Sequence, residues 1–194
     1  MTAGHTRLVA VFPMAPAIGV IQLALVFLSQ RRTVVRMTDF LKQRDAWLTS
    51  NCSIARALEV VGNRSTLLLL REASFGTRRF DDFARRVGVS EPVAAARLKQ
   101  LVADGLLERR PYREPGQRTR DEYLLTPKGQ ELLPVLTALR QWGDAWAADE
   151  AGPSVRVEHH DCGAAVHARL RCEAGHDVPP DEIDVRPGPG LRRA

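Results

Sequence analysis

Arginine is concentrated in one short part of the chain, where it could bind a polyanion. Five arginines fall within twelve residues around a Pro-Gly pair: Arg109, Arg110, Arg113, Arg118 and Arg120. So dense a cluster repels itself unless an anionic partner lies against it. The wider window 78–120 has an excess of five positive charges, which equals the net charge of +5 of the whole chain. This asymmetry indicates a phosphate-binding surface, although an ordinary solvated face can have the same composition.

A second group of residues could contact bases and phosphates from one helix. Ala94, Leu98 and Leu101 recur at helical spacing and predict a buried stripe within residues 91–104. The outer face then carries small side chains that allow close approach to thymine methyl groups, and polar ones that reach phosphates or base edges. The predicted DNA contacts are Arg79, Ser90, Pro92, Val93, Ala96, Arg97, Lys99, Gln100, Arg113, Arg118 and Arg120. We expect Arg113 or Arg118 to enter a minor groove.

Cysteine and histidine near the carboxyl terminus could hold a metal. Four of the five histidines follow residue 158. His160, Cys162, Cys172 and His176 offer two thiolates and two imidazoles to a tetrahedral zinc ion. The Cys-x-x-Cys spacing that makes such a pattern specific is absent, so a metal-free β appendage is the alternative.

Catalytic motifs are missing from the sequence. There is no G-x-S-x-G, H-E-x-x-H, phosphate-binding P-loop or dinucleotide fingerprint. No histidine lies within 37–158, so a general base there would be a carboxylate without a visible partner. We expect no enzymatic activity, no required cofactor and no small-molecule substrate.

The predicted elements would place the basic residues on one surface. Helical periodicity, turn residues and alternation predict helices at 38–49, 52–61, 66–73, 79–87, 91–104 and 127–148, with strands at 106–112 and 121–125. A kink is expected at Pro134. This order predicts a mainly α fold with a small β wing, a winged helix-turn-helix. Trp47, Trp142 and Trp146 need burial, which favours an isologous dimer through the first and the long helix.

The two ends of the chain differ from this central part. Residues 8–28 carry no charge and could span a bilayer, with arginines following them. The favoured explanation is that translation begins at Met37, with a membrane segment as the alternative. We therefore predict a leader at 1–36, a DNA-binding domain at 37–150 and a β-rich tail at 151–194.

Ordered motifs across about residues 52–146 resemble a known family. They are Cys52-Ser-Ile-Ala-Arg-Ala-Leu, Gly62-Asn-Arg, Arg71-Glu72, Arg79-Phe80, Asp104-Gly105-Leu106, Tyr123-Leu-Leu-Thr126-Pro-Lys-Gly129 and Trp142-Gly143. The chain resembles the HxlR-type transcription regulators. The resemblance implies a MarR-like winged-helix fold, dimerisation through the terminal helices, and repression or activation of target genes.

The resemblance also draws attention to one cysteine. Cys52 stands where some members of this family carry a redox-sensing thiol. Its place at a predicted helix N-terminus favours the thiolate. The alternative is a buried cysteine that packs as a small apolar side chain.

Together these observations predict a cytoplasmic, homodimeric regulator that binds double-stranded DNA. Two half-sites about one helical turn apart would be read as an inverted repeat. Two rivals stay open from the sequence: a winged-helix module that binds protein, and a membrane-tethered regulator anchored by residues 8–28.

Overall fold

The structure is a computed structural model that describes residues 35–43, 46 and 48–193. The predicted leader segment 8–28 and Trp47 lie outside the described residues. Within the described ranges, no helix is long and apolar enough to cross a membrane.

The elements follow the predicted order through the centre of the chain. They are β1 (Arg36–Met37), α1 (Asp39–Lys42), α2 (Ser53–Val61), α3 (Arg64–Ser74), α4 (Phe80–Val87), α5 (Glu91–Ala103), β2 (Leu107–Tyr112), β3 (Arg120–Leu125), α6 (Pro127–Gln130), α7 (Leu133–Trp146) and β4 (Asp184–Val185). Short 3₁₀ turns lie at Thr49–Asn51 and Pro180–Glu182. The fold is a winged helix-turn-helix that is mostly helical, as expected.

The core lies where α3, α4, α5 and the base of the hairpin meet. Its most deeply buried large side chains are Phe83, Leu69, Leu70, Leu98, Leu101 and Leu107. The four leucines of the run Leu67–Leu70 are not equally buried, since only Leu69 and Leu70 lie within the core. Leu67 and Leu68 are half-buried because they face α7 and a cavity beside it.

Strands β2 and β3 form the wing as one antiparallel pair. Their register runs from Leu107 opposite Leu125 at the base to Tyr112 opposite Arg120 at the far end. Leu107 is buried and anchors the hairpin to the core, whereas the middle of β2 is exposed. The hairpin therefore projects its arginines away from an apolar base.

The expected long helix at 127–148 is wrong, because the structure has two helices there. Helix α6 ends at Gln130 and α7 starts at Leu133. Proline has no N–H to donate to the carbonyl four residues earlier, and its ring clashes with that carbonyl. Pro134 would meet Gln130 in this way, so the helix is interrupted there rather than kinked.

The tail is less regular than the β-rich appendage we expected. In its described part, β4 is the only strand and has two residues, alongside isolated bridges at Glu158–Ala165 and Arg171–Asp177. Proline residues at 179, 180, 187 and 189 remove the amide donors that a longer ladder needs. Strand β4 pairs in parallel with β1, so the tail returns to the start of the described chain. The domain boundaries at 36 and 150 stay predictions.

Candidate nucleic-acid interface

Helices α4 and α5 are joined by a three-residue turn that fixes their angle. Gly88 ends α4 with φ of 69°, a left-handed conformation that suits glycine. Ser90 occupies the N-cap position of α5, but its side chain makes no capping hydrogen bond. Pro92 in the first turn lacks one of the N–H groups that a cap would satisfy. The hydroxyl of Ser90 is exposed at the start of the helix.

Helix α5 presents the face that the sequence predicted. Ala94 and Leu98 are 0% exposed and Leu101 is 1% exposed, which confirms the buried stripe. On the opposite side the exposed residues are Pro92, Val93, Ala96, Lys99 and Gln100. Arg97 is half-buried at the edge of this face. The amide of Gln100 donates to Asp104 at 3.0 Å, so it is engaged within the helix.

Ion pairs within the wing involve only part of its arginine cluster. Arg109 lies 3.6 Å from Asp121, and Arg110 lies 3.7 Å from Glu108. Arg113 donates from Nε to the carbonyl of Gln117 at 3.1 Å and so stiffens the tip. Within the described residues, Arg118 and Arg120 make no side-chain ion pair or hydrogen bond. These two charges are the ones that an incoming phosphate would meet first.

Arg79 connects the helix-turn-helix to the wing. Its guanidinium donates to the carboxylate of Glu114 and lies 5.1 Å from the ring centroid of Tyr112. The hydrogen bond to Glu114 raises the pKa of Arg79 above its ordinary value, so the side chain stays charged. The backbone carbonyl of Arg78 accepts from the N–H of Tyr123 at 2.8 Å. The wing is thereby tied to the residues that precede α4.

Tyr112 and Glu114 are site residues that the sequence did not reveal. Their partner Arg79 is more than thirty positions away, and nothing in the local pattern pairs them. The only signal was an isolated acidic residue between Arg113 and Pro115 at the tip of a basic hairpin.

A cleft of about 750 Å³ separates the wing from α4. Its charged lining consists of Arg79, Arg85, Arg118, Arg120, Asp81, Asp82 and Asp121. The carboxylate of Asp82 is held by Arg85. Among the charged residues of this lining, Arg118, Arg120 and the exposed Asp81 make no side-chain ion pair within the described residues.

Comparison with known proteins decides the family of the chain. A family model described as an HxlR-like helix-turn-helix matches residues 60–151. The HTH-type transcriptional regulator Rv3095 of Mycobacterium tuberculosis is 42% identical over 141 residues, which are 72% of this chain and 88% of that protein. The chain belongs to the HxlR family. It is a transcriptional regulator with a helix-turn-helix DNA-binding domain.

Other similar proteins agree with this assignment. The HTH-type transcriptional regulator YtfH of Escherichia coli (strain K12) is 34% identical over 109 residues, 56% of this chain and 84% of that protein. The solved structure of PA1607, described as a candidate transcription factor, has a TM-score of 0.62 at 33% identity and covers 71% of this chain and 95% of that one. PA1374 from Pseudomonas aeruginosa has a TM-score of 0.50 at 36% identity and covers 72% of this chain and 94% of that one.

In this HxlR-family chain, Cys52 is exposed and immediately precedes α2. The thiol therefore stands at the N-terminus of a helix in the chain taken by itself, and the alternative of a cysteine that packs as a small apolar side chain stays open. Redox sensing by Cys52 stays a prediction.

The predicted zinc ligands of the HxlR-family chain are not gathered into one cluster. The sulfur of Cys162 lies 3.2 Å from Nδ1 of His159, whereas His160 turns to Asp161 at 2.9 Å. Cys172 and His176 share a backbone hydrogen bond within a tight turn. Across the described residues, no three His, Cys, Asp or Glu side chains are close enough to hold a metal ion. Zinc binding by His160, Cys162, Cys172 and His176 stays a prediction.

Proposed function

We propose that this regulator binds an inverted-repeat operator as a homodimer, with α5 in the major groove and the wing on the flanking backbone or minor groove. The observation that carries the proposal is the exposed outer face of α5, which stands beside a hairpin with unpaired arginines. A major groove accepts an α-helix, and an arginine-bearing wing fits a narrow minor groove with its concentrated negative potential.

Within the interface, the residues divide by the kind of contact they can make. Pro92, Val93 and Ala96 are small or apolar and suit close contact with thymine methyl groups. Arg97 can make a bidentate contact to guanine, since its planar guanidinium matches two acceptors. Lys99, Arg118 and Arg120 suit phosphates, which fix the register of the protein on the duplex without reading sequence.

The proposal that the chain forms a homodimer is supported by the apolar surface of α7. This helix contributes no buried residue, and it exposes Trp142 at 64% and Trp146 at 78%. On α2, Ile54 is 72% exposed and Leu58 is 56% exposed. Large apolar side chains exposed together in this way mark an interaction surface. An isologous dimer would bury both sets and present two α5 helices to the DNA.

Replacing Arg97 tests the proposed readout directly. Arg97→Ala should weaken operator binding by about 1–3 kcal/mol for each half-site, roughly 5- to 150-fold apiece, and relax the preference at one base pair of each half-site. Arg97→Lys should recover the charge but not the bidentate preference. Binding is measured by fluorescence anisotropy on the chain's own upstream DNA and on single-base variants of that DNA.

The matched control is Arg169→Ala, which removes one exposed arginine from the tail. It should leave operator affinity and base preference unchanged. If Arg97→Ala behaves like Arg169→Ala, α5 does not read bases in the proposed way.

A further inference from the structure

A large cavity lies on the opposite side of α3 from the DNA-binding helices. It has a volume of about 1060 Å³ and is bounded by α3, α7 and the tail segment that includes Ser154, Val155 and Val157. Leu67, Leu68 and Leu136 contribute to its apolar walls. Its size and lining are those of a site for a small organic molecule. The proposed DNA contacts make no use of it.

Two arginines in the wall of the cavity have buried donors without acceptors. Within the described residues, Nε of Arg71 and Nε of Arg140 are buried and have no hydrogen-bond partner. Three other nitrogens of these groups have partners: Nη2 of Arg71 bonds Glu72 at 2.7 Å, Nη1 of Arg140 bonds Asp144 at 2.6 Å, and Nη2 of Arg140 donates to the carbonyl of Val166 at 3.3 Å. Buried N–H groups are nearly always satisfied, so two unpartnered donors in side chains that line one cavity favour a ligand that brings acceptors to these guanidinium groups.

The charge of the lining also favours an anion. Arg64, Arg71 and Arg140 are opposed by Glu72 and Asp144, which leaves one positive charge in excess. A guanidinium and a carboxylate match in geometry as well as in charge. The surrounding apolar walls require that most of the ligand be hydrocarbon.

We propose that this cavity binds an organic carboxylate with an apolar skeleton, and that the bound ligand changes DNA affinity. The carboxylate accepts from Arg71 and Arg140, and the skeleton lies among the leucine and valine side chains. Binding of the ligand is independent of the proposed DNA contacts. The effect on DNA rests on the proposed function.

A chain of polar contacts, buried at its centre, leads from the cavity to the helix-turn-helix. Glu72, the partner of Arg71, is buried and accepts from the hydroxyl of Thr77 at 3.1 Å. Arg86 of α4 donates to the same hydroxyl at 2.8 Å. A ligand carboxylate competes with Glu72 for Arg71 and so alters the contacts that hold Thr77. Thr77 lies two residues before Arg79, which is bonded to the wing.

Calorimetric titration of the full chain tests the ligand class. The probes are octanoate and 4-phenylbutyrate, each compared with the primary alcohol of the same skeleton. The carboxylates should bind at least tenfold more tightly than the alcohols. Arg71→Gln and Arg140→Gln should each remove most of that preference, whereas Arg169→Gln, an exposed tail arginine outside the cavity, should retain it.

A variant that fills the cavity tests ligand binding without changing either arginine. Thr137→Phe places a ring in the cavity from a half-buried position on α7 and leaves every charge in place. It should abolish binding of acids and alcohols alike while circular dichroism stays unchanged. Equal affinity for acid and alcohol, or binding that survives Thr137→Phe, would overturn the proposal. So would a folded chain that binds neither probe, which is the result expected if a second copy of the chain fills the cavity.

The effect of the ligand on DNA binding is measured in a separate experiment, which compares operator affinity with and without 4-phenylbutyrate. A change of at least threefold in the wild type, absent in Thr137→Phe, supports the proposed route through Thr77. A ligand that binds without changing operator affinity overturns the coupling alone. Failure to bind DNA without ligand, alongside normal ligand binding, contradicts the proposed function instead.

Discussion

At the scale of single residues, the cations near the proposed DNA surface are of two kinds. Arg79, Arg109 and Arg110 are paired with carboxylates on the protein. Arg97, Lys99, Arg118 and Arg120 make no side-chain ion pair or hydrogen bond within the described ranges. A phosphate gains a full contact from the second group, whereas it must first displace a carboxylate from the first. The acidic partners therefore tune how many positive charges the DNA meets.

Glu114 is the acidic residue whose removal should strengthen binding most clearly. Glu114→Gln frees Arg79 and removes a negative charge from the wing tip, so operator affinity should rise about two- to tenfold. One further phosphate contact from each protomer should steepen the dependence of log affinity on log salt by roughly 1.8 for the dimer. The measurement is anisotropy at four or more salt concentrations.

The matched control for Glu114 is Glu108→Gln. Glu108 also pairs with an arginine, but on the exposed middle of β2 and away from α4. Glu108→Gln removes the same charge but leaves the Arg79–Glu114 bond intact, so its effect should be clearly smaller. Equal effects of the two substitutions would mean that net charge matters and the Arg79–Glu114 bond does not.

The buried residues of a helix could be predicted from the sequence, because they follow from helical periodicity. Side-chain contacts between distant residues could not, because they depend on the folded structure. Ala94, Leu98 and Leu101 were predictable as buried because a helix repeats every 3.6 residues. The contact of Arg79 with Tyr112 and Glu114 could not be predicted from the sequence, because hairpin twist and strand register bring these residues together. The contact of Cys162 with His159 in the tail was also not predictable, because a local turn brings the two side chains together.

At the scale of elements, one threonine joins the wing to the following helix. The hydroxyl of Thr126 accepts from the N–H of Gly129 at 3.1 Å and donates to the carbonyl of Gly105 at 2.7 Å. It thus caps α6 and ties that helix to the turn after α5. Gly129 fits only without a side chain, because a Cβ there would lie 2.2 Å from the carbonyl oxygen of Leu106.

Thr126→Ala should lower the free energy of unfolding by about 1–2 kcal/mol, since it removes a helix cap and a second hydrogen bond. Urea unfolding followed by circular dichroism measures this change. Thr126→Ser keeps the hydroxyl and should recover most of the loss. If serine is as destabilising as alanine, the methyl group and not the hydroxyl holds this junction.

The sequence predicted where helices occur, but it did not predict that the helix after the wing is interrupted. The predicted starts and ends of α2, α4 and α5 agree with the structure to within one residue, because apolar periodicity and the glycines that follow these helices mark them. The break between α6 and α7 depends on the clash of Pro134 with a carbonyl one turn earlier. The tail has little periodicity, and its pairing with β1 is a long-range contact that no local pattern contains.

At the scale of the whole molecule, the second chain of the proposed homodimer covers α7. Trp146→Glu should shift the protein from dimer to monomer in sedimentation velocity, because it places a charge in the proposed apolar interface. Operator affinity should fall with it, since each monomer then holds one half-site. Leu170→Glu, which also changes an exposed apolar residue but in the tail, should stay dimeric. A wild-type chain that is monomeric at micromolar concentration would contradict the proposed assembly.

The most direct test of the central claim is the binding of this chain to its own upstream intergenic DNA across a range of salt concentrations. The wild type should bind tightly, with an affinity that falls steeply as salt rises. The Arg113→Ala/Arg118→Ala double variant should lose most of that affinity, while Arg156→Ala/Arg169→Ala, which removes two exposed tail arginines, should not. Absence of binding at low salt, or equal losses in the two double variants, would contradict a winged helix-turn-helix that holds DNA through its wing.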